Sequence, residues 1–285
     1  MKSSAIKTQN NQTVPRLWQP TDAAHLRVWV KHELLPQTNG AGVTDLPDGR
    51  NGSPNVYVQG SSSRRPTIVI PTSKSANFFG GGVGYMDFDG SNDLIADQSP
   101  DFDNDDLAPG DIIFCVPLRL DRSVTSSNAT VFSLLRNNSD EEIRLFYSSV
   151  SSGNKISLRA QNPLLTKTVN GTDDLDDTTV LVSGHIIGEA SGNNMKLFQN
   201  GTEIDQDNFA FNFTGDHDFV IGALNTSHAQ SYEGFMPEMC IYTNSVRGSM
   251  VENTRYRAEG YMAHKFGLTS SLPATHPYKY GPPRV

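Results

Sequence analysis

The sequence has few cysteines and no long apolar run. Two cysteines, Cys115 and Cys240, in 285 residues exclude a scaffold built on disulfides. We expect both to be buried free thiols. A disulfide between them is the alternative, because pairing cannot be read from sequence. No apolar stretch approaches the roughly 20 residues that a membrane-spanning helix needs, and residues 1–15 lack the apolar centre of a signal peptide. We therefore expect synthesis in a cytoplasm and no membrane insertion.

Hydrophobic residues and positive charge are also scarce. The hydrophobic fraction is 36%, whereas Gly and Pro number 24 and 16, which is typical of a turn-rich all-β chain. The formal net charge of −8 argues against a broad phosphate-binding face, so we expect no nucleic-acid partner. The acidic surface fits a protein particle or a saccharide partner equally well.

The chain instead contains many short strand-like segments. The predicted strands are 68–70, 112–120, 130–135, 142–149, 155–159, 179–187, 195–199, 202–205, 219–223 and 235–243. Asn200-Gly201 predicts a type I′ hairpin turn, and Pro117 predicts a bulge or an edge position for its strand. We expect the polar stretch 161–178 to be an exposed loop. Strands without alternating helices indicate antiparallel sheets in a sandwich or barrel.

One amphipathic helix is predicted, at residues 250–266. Ser249 and Glu252 form a capping box at its start, and Gly267 suits a left-handed cap at its end. Its apolar face contains Ala258, Tyr261, Met262 and Phe266. Gly260 lies inside the helix, where glycine is unfavourable, and therefore indicates a close approach by another part of the chain.

Several motifs resemble a known family. The run 258–268 (AEGYMAHKFGL), followed by Leu272-Pro273 and His276-Pro277-Tyr278, is similar to the closing segment of concanavalin A-like (laminin-G-like) jelly-roll domains of bacteriophage structural proteins. The stretch around Leu17-Trp18 and the run 86–94 (MDFDGSNDL) resemble earlier segments of that family. The resemblance implies an all-β, concanavalin A-like lectin/glucanase-type β-sandwich of two antiparallel sheets over residues 16–285. An N-terminal arm, 1–15, precedes it, and the C-terminal helix 250–266 belongs to it.

Glycosidase chemistry requires two carboxyl groups about 5–5.5 Å apart for retention, which predicts a strand of the form Glu-x-Asp-x-Glu. No such run occurs, because Glu238 is alone in its strand and Glu141 and Glu142 point to opposite faces. The acidic run 101–106 resembles a calcium loop but lacks its required Gly and bidentate Glu, so we interpret it as a solvated loop.

Other catalytic and cofactor sites are not expected either. Gly80-Gly81-Gly82 is not followed by the Lys-Ser/Thr of a phosphate-binding loop. His185, His217, His228 and His276 show no metal-ligand spacing, and we expect His264 to pack or to form a surface hydrogen bond. We therefore predict no catalytic, cofactor-binding or metal-ligating residue.

Three functions remain open. The first hypothesis, from the resemblance, is a non-enzymatic virion protein of capsid or tail that binds other virion proteins and forms a homo-oligomer. The alternative is a carbohydrate-binding module or adhesin that contacts host polysaccharide, with Tyr147, Tyr232 and Tyr242 as candidate contacts. A glycoside hydrolase is the third. Trp18 and Trp29 could form a paired sugar platform, but we expect them to lie in the core.

Overall fold

We describe the fold from a computed structural model. It describes residues 15–34, 38–50, 56–72, 78–97, 110–121, 128–136, 141–150, 153–187, 194–210, 213, 216–227, 229–244 and 252–285. The predicted arm, except for Pro15, and the acidic run 101–106 lie outside these residues. Within them, no helix has both the length and the apolar character to span a bilayer.

The described residues form seventeen strands and one α-helix. The strands are β1 (Leu26–Lys31), β2 (Asp45–Pro47), β3 (Val56–Val58), β4 (Thr67–Val69), β5 (Tyr85–Asp89), β6 (Ile95–Asp97), β7 (Asp111–Leu120), β8 (Ala129–Leu135), β9 (Glu142–Val150), β10 (Gly153–Asn162), β11 (Leu165–Asn170), β12 (Thr179–Ile186), β13 (Met195–Gln199), β14 (Thr202–Asp207), β15 (Asp218–Ile221), β16 (Glu233–Met236) and β17 (Glu238–Asn244). The helix is α1 (Glu252–Lys265).

The strands pair into two antiparallel sheets, as predicted. The nine-stranded sheet has the order β14-β13-β12-β7-β16-β5-β4, with β17 pairing to β7 and β1. The eight-stranded sheet has the order β11-β10-β9-β8-β15-β6-β3-β2. Alternate residues of both sheets, such as Phe114, Phe132 and Tyr232, fill one core between them. The all-β sandwich expected from the strand pattern is confirmed.

A second, smaller core lies on the outer face of the nine-stranded sheet, where α1 packs. Ala258, Met262 and Phe266 lie against Cys115 and Tyr242 there. Trp18 and Trp29 are buried in the same core, so their expected packing role is confirmed. The helix packs mainly over β7 and β12, and its Lys265 also reaches Glu238 at the start of β17, so it covers only part of the sheet.

Two strand predictions need correction. The stretch 161–178, expected to be an exposed loop, contains β11, which pairs with β10 and has a buried Val169. Its many polar residues are typical of an edge strand, and the same composition is also typical of a loop. The single predicted strand 235–243 is two strands, β16 and β17, because Pro237 interrupts the ladder.

Pro117 lies in a central strand, so the expected edge position is wrong, but the ladder beside it is irregular, since the register of the neighbouring strands shifts by one residue between Cys115 and Arg119. Its strand, β7, pairs with β12 on one side, where Pro117 is opposite Leu181. On the other side, β17 pairs with β7 up to Cys115 and β16 pairs with it from Arg119. Pro117 has no backbone N–H to donate. This costs little stability, because Pro117 lies where its neighbour changes from β17 to β16 at Pro237.

The turn and cap predictions agree with the backbone. Asn200 and Gly201 both have positive φ angles, 51° and 77°, as a type I′ hairpin turn requires. Gly267 ends the helix with a φ of 70°. Glu252 begins the described helix, and Ser249, the predicted capping residue, lies outside the described residues.

Buried polar contacts of the C-terminal motif attach the tail to the helix. Glu259 is fully buried and binds Arg255 through Oε1, at 2.6 Å from Nη1, and the Ser183 hydroxyl donates to the same oxygen. Its Oε2 lies 3.0 Å from Nε2 of His276, which fixes the tail after the helix. The Glu, Gly, His and Tyr of this motif thus hold the tail on the helix.

Residues 16–18 pair with residues 283–285, the last part of this tail. The Trp18 amide donates to the Pro283 carbonyl at 2.9 Å, and the Val285 amide donates to the Arg16 carbonyl at 3.1 Å. Both terminal segments therefore lie at one end of the helix.

Candidate functional site

The part of the outer face that the helix leaves uncovered carries a row of functional side chains. Phe235 of β16 is in register with Arg119 of β7 and with Asp87 of β5. Asp87 is in turn opposite Thr67 of β4. Because paired residues of neighbouring strands point to the same side of a sheet, these four side chains share one face.

Aromatic rings form a half-buried surface on this face. Phe78 stacks on Phe235, with ring centroids 5.0 Å apart and planes 21° apart. Tyr85 contacts Phe235 edge-on at 5.2 Å, and the Arg119 guanidinium lies 4.2 Å from the Phe78 ring centroid. Phe78 and Phe235 are both partly exposed. Phe78 is therefore packed against both Phe235 and the Arg119 guanidinium, and the two rings offer apolar surface where they stay partly exposed.

Carboxylates surround these rings. Asp87 and Asp89, two residues apart on β5, point to the same side, and Glu233 is opposite Asp89. Burial, and after it the negative charges of Asp93, Asp121, Asp89 and Glu233, together raise the pKa of Asp87 to about 6. We call the whole set the aromatic–acidic face. It consists of Phe78, Tyr85, Asp87, Asp89, Arg119, Asp121, Glu233 and Phe235.

Arg119 is held in place from one side only. Its Nη2 donates to Asp177 Oδ1 at 3.0 Å, and Nη1 donates to the Asp177 carbonyl. Its Nε–H is buried and finds no acceptor among the described residues. An unsatisfied buried donor is unfavourable and indicates an acceptor supplied by water or by a ligand.

Sequence reasoning missed this face, although part of its signal was present. The run Tyr85-Met86-Asp87-Phe88-Asp89 alternates apolar and acidic residues, which predicts two carboxylates on one side of a strand. These two carboxylates were not predicted as a site, because the run ends in the Asp89-Gly90 turn and does not have the Glu-x-Asp-x-Glu pattern. Phe235, Arg119 and Phe78 come from distant segments, so only the sheet register brings them together.

The candidate sugar contacts named from the sequence lie elsewhere. Tyr147, Tyr232 and Tyr242 are at most 1% exposed. Tyr147 and Tyr232 stack within the core between the sheets, and Tyr242 packs beneath the helix. That interpretation is wrong, because alternation alone did not say which side of each strand faced inward.

On the outer face of the eight-stranded sheet, a described cation–aromatic pair is buried. Arg144 lies 4.2 Å above the Phe146 ring and forms an ion pair with Glu142 at 2.8 Å. However, Arg144 and Phe146 are only 4% and 5% exposed. A large ligand cannot reach these two side chains.

One cluster has the residue types of a metal site. Ligand atoms of His32, Glu33 and Glu238 lie within 4.8 Å of one another. The Lys265 ammonium lies between the two carboxylates and is paired with both. Because Lys265 supplies the positive charge that a metal ion would bring, the cluster does not fit a resident metal. Glu238 also accepts a hydrogen bond from the Trp29 indole N–H at 2.6 Å. This glutamate, the single acidic residue of its predicted strand, therefore has a structural role.

Three further residues singled out from the sequence, His264, Cys115 and Cys240, lie in structural surroundings. His264 Nε2 lies 2.9 Å from the Tyr278 carbonyl oxygen, in agreement with the expected packing role. Cys115 and Cys240 are free and fully buried, although they face each other across β7 and β17.

Comparison with known proteins does not place the chain in a family. No family model matches it, and no curated protein matches it. Similar solved structures include the receptor-binding domain of botulinum neurotoxin D, with 13% identity and a TM-score of 0.48 over 85% of this chain and 54% of that one.

Two further similar structures were solved with saccharides. Domain 4 of the Geobacillus stearothermophilus arabinanase AbnA, in complex with arabinotriose, has 14% identity and a TM-score of 0.43 over 80% of this chain and 97% of that one. The CBM40 domain of the Ruminococcus gnavus IT-sialidase, bound to α2,3-sialyllactose, has 18% identity and a TM-score of 0.40 over 53% and 83%. At these TM-scores the similarities carry no argument about function, and the fold assignment rests on the two sheets themselves.

Proposed function

We propose that this chain is a non-catalytic carbohydrate-binding domain and that the aromatic–acidic face binds the saccharide. The observation that carries the proposal is the half-exposed Phe78–Phe235 stack with Arg119 and Asp87 in the same cross-strand row. The distant likeness to domains that bind sialyllactose and arabinotriose is not part of the argument.

The chemistry of a sugar ring matches this face. The apolar side of a pyranose packs on aromatic rings, while its hydroxyl groups require both donors and acceptors. The Arg119 guanidinium, whose side chain is 18% exposed, supplies donors, and Asp87 is a partly exposed acceptor. Because Asp177 already holds Arg119 in position, little additional side-chain ordering is needed, which limits the entropy lost on binding.

Glycan-array screening followed by calorimetry of the best ligand tests the proposal. Phe235→Ala should weaken binding by up to about tenfold, since an aromatic contact contributes about 0.5–1.5 kcal/mol beyond the area that it buries. Tyr280→Ala is the matched control, because Tyr280 is 84% exposed and lies in the tail. A glycan bound equally by the wild type and by Phe235→Ala would contradict this site.

A glycoside hydrolase is the second candidate, and one observation favours it. Asp87 has a pKa of about 6 beside further carboxylates, as a general acid requires. Against it, Asp89 Oδ1 accepts hydrogen bonds from the amides of Ser91 and Asn92 at 2.8 and 3.3 Å. Asp89 therefore stabilises the turn that follows it. Turnover of β-glucans or of array-selected oligosaccharides that disappears in Asp87→Asn would establish catalysis and overturn the non-catalytic proposal.

The virion location stays a prediction from the sequence resemblance. It is compatible with saccharide binding, since a particle component could contact host polysaccharide. Imaging of intact particles with a label on this chain tests it, and a chain absent from such particles would contradict it.

A further inference from the structure

The aromatic–acidic face carries several negative charges close together. Asp87 and Asp89 point to the same side of β5, and Asp89 is paired across the strands with Glu233. The Glu233 carboxylate reaches the following turn, since a Cβ added at Gly90 would lie 2.7 Å from its Oε2. Asp121 follows β7 directly, and its amide donates to the Glu233 carbonyl at 3.4 Å. Four acidic residues therefore lie beside one pair of stacked rings.

Arg119, the one cation of the aromatic–acidic face, does not balance these charges. Its Nη2 lies 3.0 Å from Oδ1 of Asp177, a carboxylate outside the face, which offsets the positive charge. Among the described residues, neither Asp87 nor Asp89 forms an ion pair, and Asp89 Oδ1 accepts only backbone amides. The described part of the face therefore has a net negative charge.

The titration of Asp87 has the same origin in part. Burial, and after it the negative charges of four neighbouring carboxyl groups, together raise its pKa to about 6. These neighbours are Asp93, Asp121, Asp89 and Glu233. At neutral pH Asp87 is mostly ionised, so a carboxylate on a ligand would be repelled there, and an ammonium group would be attracted.

One ligand can reach both the rings and the carboxylates. Asp89 is exposed, and Phe78, Phe235 and Asp87 are partly exposed. Asp87 is directly opposite Phe235 in the ladder, and such pairs have Cβ atoms about 4.5–5.5 Å apart. This separation is shorter than the screening length of about 8 Å at physiological salt, so a sugar on the Phe235 ring lies within the field of Asp87.

We infer that the aromatic–acidic face selects saccharides by charge, excluding sugars that carry a carboxylate and favouring sugars that carry a protonated amine. Neutral sugars rank between the two, because they bind through the rings and hydrogen bonds alone. The inference rests on the proposed function and assigns the substrate class of that same site.

A ligand series that differs only at carbon 6 tests this selection. It consists of the methyl glycoside of the hexose that the glycan array selects, its 6-amino-6-deoxy analogue and the corresponding uronic acid. At about 10 mM salt the screening length is about 30 Å, so the charge at carbon 6 acts wherever that group points. We expect the amine to bind at least about tenfold more tightly than the uronic acid by calorimetry. This ratio should fall below about twofold at about 1 M salt, where the screening length is about 3 Å.

A matched pair of variants locates the charge. Asp87→Asn should lower the amine-to-uronate affinity ratio about two- to fivefold, because one carboxylate beside the rings loses its charge. Glu203→Gln also removes one negative charge, but Glu203 lies on β14, at the opposite edge of the sheet from β4 and β5, so the ratio should not change. The ratio is compared because Asp87 also contributes to the binding of neutral sugars. If Asp87→Asn does not fold, the salt dependence of the wild-type ratio still decides the question.

The outcomes distinguish this inference from the proposed function. Binding that requires Phe235 but has equal affinity for the amine and the uronic acid at low salt would overturn the charge selection and leave the proposed function in place. An array-selected glycan that carries a carboxylate and needs Phe235 would do the same. Absence of binding to any glycan would overturn the proposed function and this inference with it.

Discussion

Gly260 lies directly against Tyr278, since a Cβ added at residue 260 would come within 2.5 Å of the Tyr278 Cβ. This contact explains why a glycine interrupts an otherwise regular helix. The tail that follows the helix folds back over the same turn, where His276 and Glu259 anchor it.

Gly260→Ala should destabilise the protein despite the better helix propensity of alanine. The propensity gain is about 0.5–1 kcal/mol, whereas overpacking typically costs about 1–3 kcal/mol. We expect a net loss of about 1–2 kcal/mol in the free energy of unfolding, measured by chemical denaturation. Gly281→Ala is the control, because its Cβ would meet no atom within 4 Å. Equal stability of the two variants would contradict the close packing of Tyr278.

Glu259→Gln should cost much more than Glu252→Gln, although both glutamates pair with Arg255. Removing the buried carboxylate leaves the 1%-exposed Arg255 without its internal counter-charge, at a cost of about 3–5 kcal/mol. The Glu252 side chain is 57% exposed, so its loss should cost less than about 1 kcal/mol. Denaturant midpoints measure both. Similar losses would show that the tail fastening is not electrostatic.

Asp87 should make stability fall as pH rises through about 6. Its folded pKa of about 6 exceeds the ordinary 3.8, so between about pH 4 and pH 6 the folded state holds a proton that the unfolded state has lost. Stability falls over that range and levels off at a lower value above it. Asp87→Asn should raise the free energy of unfolding by about 1 kcal/mol at pH 8, a modest value because solvent screens this partly exposed group. The gain should vanish near pH 4, where the wild-type carboxyl is protonated in the folded state. Thermal melts of both proteins from pH 4 to pH 8 measure it, and a pH-independent difference would contradict the assignment.

Cys115 and Cys240 should be unreactive in the native protein. Both are fully buried, and burial raises the pKa of each thiol, so almost no thiolate is present at pH 8. A chromogenic disulfide reagent should detect no thiol under native conditions and two in denaturant without reductant. Fewer than two thiols in denaturant would reveal a disulfide across β7 and β17.

The fold class followed from local patterns, because period-2 alternation and turn chemistry act over a few residues. The hairpin at Asn200-Gly201, the helix and its Gly267 cap were all predictable for that reason. The edge strand β11 was missed, because a strand with few buried residues has the composition of a loop.

The sites were decided by tertiary structure. Arg119, Phe235 and Asp87 are distant along the chain and meet only through strand register, and Glu33, Glu238 and Lys265 meet only through packing of the helix. Sequence by itself determined that two antiparallel sheets and one terminal helix would form, since hydrophobic periodicity is local. Which outer surface that helix would cover, and which side chains would stay accessible beside it, depended on contacts between residues far apart in the chain.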